Sequence, residues 1–194
     1  DLIRSISSFT EEQVKVYGYK DNFVRFPAWI NLSKFLEAKT IRDKHDDFKI
    51  IFVGSVTDRK NPDLIVKAIS ELDDEISLEI IGPTPNKTYL NELKKSISNS
   101  QHKKNILLTP FIAIDELIEK YSNADLFILP SKSEGLGRVV IEAQATGCPV
   151  LVSSNTGAVD LIIDHETGYI FENDNLEDLK DKIKNIIDNQ QHSV

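Results

Sequence analysis

The feature that most limits what this chain can fold into is the succession of segments between Leu126 and Val152. Leu126-Phe127-Ile128-Leu129 is apolar throughout and short, as a strand buried on both faces is. Ser131-Lys132-Ser133-Glu134-Gly135-Leu136-Gly137 is too rich in Gly and Ser for either regular element. A helical pattern then runs from Arg138 to Thr146, Gly147 stops it, and Pro149-Val150-Leu151-Val152 restarts as a strand. Strand, glycine loop and helix in that order build a parallel α/β sheet. The free N–H groups and the positive end of the helix dipole face whatever lies beyond the strand's carboxyl end. Such a place takes an anion.

The rest of the chain obeys the same alternation. Phe48 to Val53 reads as a buried strand, 54–60 as a loop, and Asn61 as the cap of a helix with Pro62 at its first position. Leu64, Ile65, Ala68, Ile69 and Leu72 give that helix one apolar face. Ser77–Ile81 and Asn105–Thr109 read as strands, ending at Gly82-Pro83 and Pro110-Phe111-Ile112. Helices are expected over 88–98, from Ile114 to Tyr121, and around 158–163; a strand at 169–171 and an amphipathic helix on Leu176, Leu179, Ile183, Ile186 and Ile187 close the chain. This predicts a Rossmann-like parallel sheet with helices on both faces. The loops 54–60, 82–87, 110–113, 131–137 and 153–157 all follow strands, so they share one edge.

Two carboxylates belong to the central unit, Glu134 in the loop and Glu142 in the second turn of the helix. A carboxylate beside an anion site needs donors, and the vicinal hydroxyls of a sugar or ribose supply two to one carboxylate. Phosphate at the helix start and polyol on either side describe a sugar nucleotide. The alternative is a solvated loop Glu and an ordinary surface Glu.

Composition narrows the classes. A net charge of −8 argues against a nucleic-acid partner. The single cysteine, Cys148, excludes a disulfide framework or a cysteine-rich zinc site. No apolar run approaches a membrane span, and nothing resembles a signal peptide, so the expected location is cytoplasmic. Methionine is absent, which points to a processed chain or a piece of a longer one. The first 35 residues differ from the rest: a strand at Leu2–Ser7, a helix over 11–17 capped by Ser8 or Thr10 and closed by Gly18, and a strand at 22–26 broken by Pro27. Two strands and a helix cannot bury their own apolar faces, so this piece is expected to dock on something else. Lys39 to Asp47, with Arg42, Lys44, His45 and Asp46, reads as a charged link. His45, His102, His165 and His192 are scattered and expected at the surface.

At this point the residues resemble a family, the retaining glycosyltransferases of the GT-B fold, group 1 or family-4 type. Pro130-Ser131, Glu134-Gly135, Gly137, Glu142-Ala143, Ala145, Gly147 and Pro149-Val150 stand in register with its signature of two Glu separated by seven residues. Phe52-Val53-Gly54 with Lys60 resembles its phosphate-binding segment, and Asn123-Ala124-Asp125, Gly157 and Gly168-Tyr169 also fit. The resemblance implies that residues 1–35 are a remnant of an N-terminal acceptor domain and linker, and 36–194 a C-terminal nucleotide-sugar-binding domain. It implies Lys60, assisted by Arg59, on the donor diphosphate; Gly54, Ser55, Gly135, Leu136, Gly137 and Arg138 around phosphate and sugar; Glu142 on the ribose hydroxyls; and Glu134 as the catalytic-site carboxylate on the transferred sugar. Gly82, Phe111 and Ile112 would shape the base pocket, with core packing as the alternative for Phe111.

No cofactor or metal is implied beyond the nucleoside-diphosphate sugar, which is itself the donor substrate. The acceptor, a polysaccharide or glycolipid hydroxyl, would be met through the missing domain, as would any peripheral contact with the membrane's cytoplasmic face. The family usually has Arg directly after the glycine where this chain has Ser55, and Arg59 is the available substitute. Asp160 stands where Glu is frequent, and Gln144, for the commoner Met, reads as a packing variant. The rival readings are a nucleotide-sugar epimerase on the same architecture and a non-catalytic nucleotide-sugar-binding module. A dinucleotide-binding Rossmann domain would need G-x-G-x-x-G after the first strand, which Gly54-Ser55-Val56-Thr57 does not supply. Ser131 and Ser133 lack a hydrolase nucleophile context.

Overall fold

The structure is a computed structural model, and it describes residues 2–19, 22–26, 29–38, 47–163 and 166–191. Pro27, most of the charged link (Arg42, Lys44, His45 and Asp46 among it), His165 and His192 lie outside the described residues. In chain order, β1 (Ile3–Ser5), α1 (Ser8–Val16), β2 (Phe23–Arg25) and the single turn α2 (Ser33–Leu36) precede the repeating part. That part comprises β3 (Phe48–Val53), α3 (Pro62–Ile69), β4 (Ile76–Ile81), α4 (Lys87–Asn99), β5 (Ile106–Thr109), α5 (Ile114–Asn123), β6 (Leu126–Leu129) and α6 (Arg138–Ala145). It ends with β7 (Val150–Ser153), a 3-10 turn (Gly157–Leu161), β8 (Tyr169–Phe171) and α7 (Leu176–Gln191).

The large sheet has the order β5-β4-β3-β6-β7-β8, every neighbour parallel. From β3 the chain winds outward through β4 and β5, crosses back over α5 to β6, and winds outward the other way. The reversal of this doubly wound order falls between β3 and β6, the place where such sheets bind ligands. The β3–β6 ladder stops at Ile51 and Phe127, although β3 runs on to Val53 and β6 to Leu129. By contrast β3 and β4 stay paired to Val53 and Ile81. Beyond Phe127 the two central strands part, and the loops that follow them begin on either side of the gap.

Alternate residues of the strands feed two cores. Ile50, Phe52, Leu126, Ile128 and Leu151 face α3, α4 and α7, where Leu64, Ile65, Leu93, Leu179 and Ile183 meet them. Ile51, Val53, Phe127, Leu129, Val150 and Val152 face α2, α5 and α6, with Phe35, Tyr121, Val140 and Ala143. Burial on both faces explains the unbroken apolar runs of β3 and β6. Near the sheet edge β4 alternates instead: Ser77 and Glu79 are half-buried between buried Leu78 and Ile80. Glu79 there accepts from Thr109 at 2.6 Å and pairs with Lys120 at 2.8 Å.

Several local expectations change. Asn61 stands at the N-cap position of α3 with Pro62 following, but its backbone is left-handed (φ 52°) and its side chain caps nothing; Nδ2 donates to Asp174 at 3.0 Å. The cap of α1 is Ser7, not Ser8 or Thr10: Ser7 and Thr10 form a reciprocal capping box. The helix expected at 158–163 is the 3-10 turn at Gly157–Leu161. His102 is buried, its Nε2 3.0 Å from the Leu72 carbonyl. Gln144 is no mere packing residue, since its amide donates to Thr167 O at 3.0 Å.

The N-terminal piece is a parallel pair, β1 against β2, with α1 as the crossover. No residue of α1 is buried, and Leu2, Val16, Tyr17, Val24 and Phe26 are exposed. The piece touches the larger sheet's loops through the start of α1, Ser8 N–H donating to Asp160 of the 3-10 turn and Ser7 Oγ to the Gly135 carbonyl, while these apolar side chains stay uncovered.

Candidate functional site

The gap at the switch point is bordered by two loops that grip each other. The Lys132 N–H donates to the Arg59 carbonyl at 2.9 Å, and Lys132 Nζ pairs with Asp58 at 2.7 Å. Arg59 returns the contact by donating to the Ser133 carbonyl at 2.6 Å. A third loop joins them: Asn155 Nδ2 donates to Lys132 O at 2.6 Å, and the Gly157 N–H to Glu134 O at 2.8 Å. Glu134 and Thr156 form a short parallel bridge outside the main sheet. Three of the five loops expected on one edge therefore meet around Glu134.

At the centre Lys60 Nζ is ion-paired with Glu134 Oε2, the two side chains only 13% and 19% exposed, and Arg59 Nη1 lies 3.3 Å from the same oxygen. Burial pushes the Glu134 carboxyl up, but the Lys60 ammonium and then Arg59 outweigh it and hold the group below its ordinary value. Glu142 has the opposite balance. It is half-buried on α6, burial raises its pKa, and the Arg138 guanidinium only partly offsets that. Tyr121, fully buried behind it, has its hydroxyl without a hydrogen-bond partner among the described residues. Burial, with the Glu142 charge behind it, keeps that phenol neutral.

Gly137 opens α6 in the left-handed conformation (φ 73°), and among the described residues no side chain caps the helix. A side chain there would also press on Leu129 and Ala158, at 3.1 and 3.2 Å. The first amides of α6 are thus presented uncapped at the gap. Leu136 is buried beneath the loop and Arg138 points outward. Ser131, at the loop's first turn, is fully buried with its hydroxyl unpartnered among the described residues.

On the β3 side, Gly54 and Ser55 are half-buried, and Gly54 lies hard against Gly82: a Cβ on Gly82 would fall 2.1 Å from the Gly54 carbonyl oxygen. Only glycine lets these two strand ends come so close. A recess of about 210 Å³ opens beside them, lined by Val56, Gly82, Pro83, Thr84, Thr109 and Pro110 among others. Phe111 is not core; it is 83% exposed, and Ile112 alone packs against the α5–α6 side. A larger groove of about 500 Å³, between α5 and the amino halves of β3 to β5, lies away from these loops.

Fold and site together define a Rossmann-like α/β domain whose switch point offers two cations, an uncapped helix start and two carboxylates of opposite electrostatic character. The family model of "Glycosyl transferases group 1" matches residues 34–194, and the chain belongs to that family. It is 28% identical over 189 residues to the capsular polysaccharide biosynthesis glycosyltransferase CapM of Staphylococcus aureus, covering 93% of this chain and 47% of CapM. It is 33% identical over 172 residues to the uncharacterized glycosyltransferase MJ1607 of Methanocaldococcus jannaschii, 86% of this chain and 43% of the relative. The chain spans about half the length of the curated relatives it matches.

Among solved structures, Anabaena Alr3699/HepE in complex with UDP and glucose superposes with a TM-score of 0.85 at 15% identity, covering 98% of this chain and 54% of that one. The C-terminal domain of the group 1 glycosyl transferase LpcC from Francisella tularensis gives a TM-score of 0.68 at 24% identity, with 86% of both chains covered. The fold is that of the C-terminal half of GT-B glycosyltransferases.

The contacts of Ser7 with the Gly135 carbonyl and of Asp160 with Ser8 were not foreseen from the sequence. Asp160 was visible as a family position, but nothing local to Ser7 signals a partner 128 residues away.

Proposed function

We propose that residues 36–194 bind a nucleoside-diphosphate sugar as the donor half of a retaining glycosyltransferase, with residues 1–35 as the end of an acceptor domain and its linker. Lys60 meeting Glu134 across the switch-point gap, beside the uncapped start of α6, is the observation that carries this reading. Charge grows on the diphosphate as the sugar leaves. Lys60, Arg59 and the amides of Gly137 and Arg138 would stabilise it, and no metal is required in this reading. Arg59 reaches the same carboxylate as Lys60, which supports it as the substitute for the arginine replaced by Ser55. Glu142, half-buried and with no ion pair among the described residues, would gain most from ribose hydroxyls. Glu134 remains ionised and is suited to hydroxyls of the transferred sugar and to positive charge developing on its ring. Gly82 and the 110–112 backbone would border the base.

The curated relatives are about twice as long; in a protein of that length the other half would meet the acceptor, and closure of two domains around the donor would complete the enzyme. The acceptor is a hydroxyl of a polysaccharide or glycolipid, met at the cytoplasmic face of a membrane. The helices described here include none long and apolar enough to cross one. The structure of a UDP complex of Alr3699/HepE makes UDP and UDP-glucose the first probes. Calorimetry with UDP, GDP, ADP and their sugars should find saturable binding of one nucleotide, weakened about tenfold by Lys60→Ala and by Glu142→Ala. Binding of none by a folded chain, or binding indifferent to both substitutions, would overturn the reading.

A further inference from the structure

The backbone at Glu134 is held from two sides. From within the domain, the Gly157 N–H donates to the Glu134 carbonyl at 2.8 Å. From the N-terminal piece, Ser7 Oγ donates to the carbonyl of Gly135. The three meet without room for a side chain: a Cβ on Gly157 would lie 1.9 Å from Gly135 O and 2.4 Å from Ser7 Oγ, and one on Gly135 would lie 3.3 Å from Ile6 Cδ1. Ser7 is itself fixed, as the cap of α1 in its box with Thr10.

What seats α1 here is Asp160, on the same 3-10 turn as Gly157. One carboxylate oxygen accepts the Ser8 backbone N–H at 2.6 Å, and the other accepts the Ser8 hydroxyl. A carboxylate on the first-turn amide of a helix combines a charge-assisted bond with the dipole. Arg25 of β2 approaches Asp160 at 3.9 Å and holds Glu11 of α1 at 3.1 Å, so β2 is tied in as well.

We infer that Asp160 is a positioning residue for Glu134. It seats the β1–α1–β2 unit on the 3-10 turn, and through Ser7 this fixes the Gly135 carbonyl and the angle at which Glu134 enters the gap. Lys60 meets this chain of contacts only at its end, through the Glu134 carboxylate, and the start of α6 only where Gly137 lies close to Ala158. Loss of Asp160 therefore weakens recognition of the sugar more than that of the diphosphate. This assignment of sugar to Glu134 rests on the donor-binding reading above.

The test compares affinity for UDP with affinity for UDP-glucose (or the nucleotide pair the chain selects) in wild type, Asp160→Asn, Asp160→Glu and Ser7→Ala. Amide hydrogen exchange is followed in the same four proteins. Asp160→Asn should cut the gain in affinity from the sugar about fivefold while UDP affinity stays within about twofold. Exchange at 134–137 and at Gly157 should quicken about tenfold. Ser7→Ala should move both readouts the same way, and Asp160→Glu should restore most of each. An unchanged sugar increment, or a loss that falls equally on UDP, overturns the inference. If wild type binds neither nucleotide, the donor reading fails, and exchange alone decides the latch: no quickening at 134–137 in Asp160→Asn sinks it.

Discussion

Glu134→Gln separates two effects that the wild-type site combines. Glu134 neutralises Lys60 in a pair whose side chains are mostly buried. A hydrogen bond between charged groups contributes about 1.5–3 kcal/mol. Arg59, with 56% of its side chain exposed, adds little beyond this. Glutamine keeps one acceptor for Lys60 and loses the charge, so the expected destabilisation is about 1–2 kcal/mol at neutral pH, or roughly 2–8 °C for a domain of this size.

A carboxyl whose folded pKa lies below its unfolded value adds stability above the unfolded value and loses it as pH falls through the folded one. Glu134 is depressed in this sense. The gap between wild type and variant should therefore close as the pH is lowered through the carboxylate range. Thermal unfolding by circular dichroism at stepped pH reads this directly. The same change removes the anion that competes with a diphosphate for Lys60, so bare nucleoside diphosphate should bind a few fold more tightly to the variant, while the sugar adds less. A stability difference that is absent at neutral pH, or that does not shrink on acidification, would refute the ion-pair reasoning; weaker binding of the bare diphosphate would refute the competition.

Glu142→Gln should act in the opposite direction on stability. Its carboxyl is raised by burial, an unfavourable contribution at neutral pH that vanishes on protonation, so the variant should gain up to about 1 kcal/mol after allowance for partial exposure; chemical denaturation at pH 7 would show it, and a loss would contradict the balance drawn here. Gly82→Ala should cost more than about 3 kcal/mol, because the new methyl meets the Gly54 carbonyl oxygen at 2.1 Å on a backbone of φ 143°; an unchanged melting temperature would show that the strand ends can separate. Cys148, buried at the start of β7, should resist thiol reagents in native buffer and react at once in denaturant; fast native labelling would mean that the α6–β7 corner opens.

The sequence by itself determined the elements and their kind. Runs such as Leu126 to Leu129, short, apolar and bounded by turn residues, read as strands buried on both faces, and Arg138 after Gly137 reads as a helix start, because period and turn chemistry are properties of a few neighbouring residues. The carboxylates of the site were legible for the same reason, since Glu134 and Glu142 sit in one loop and one helix. Tertiary structure alone decided what these residues touch. Asn61 has the right residue type for a cap, yet it bonds Asp174, 113 residues on. His102 is polar in a polar stretch, yet it folds inward onto Leu72. Lys60 meets Glu134, and Ser7 meets Gly135, only because the sheet reverses between β3 and β6 and brings the following loops, with α1 laid across them, to one edge. Strand order is set by how the helices cover the sheet, a balance over the whole domain that no local pattern carries.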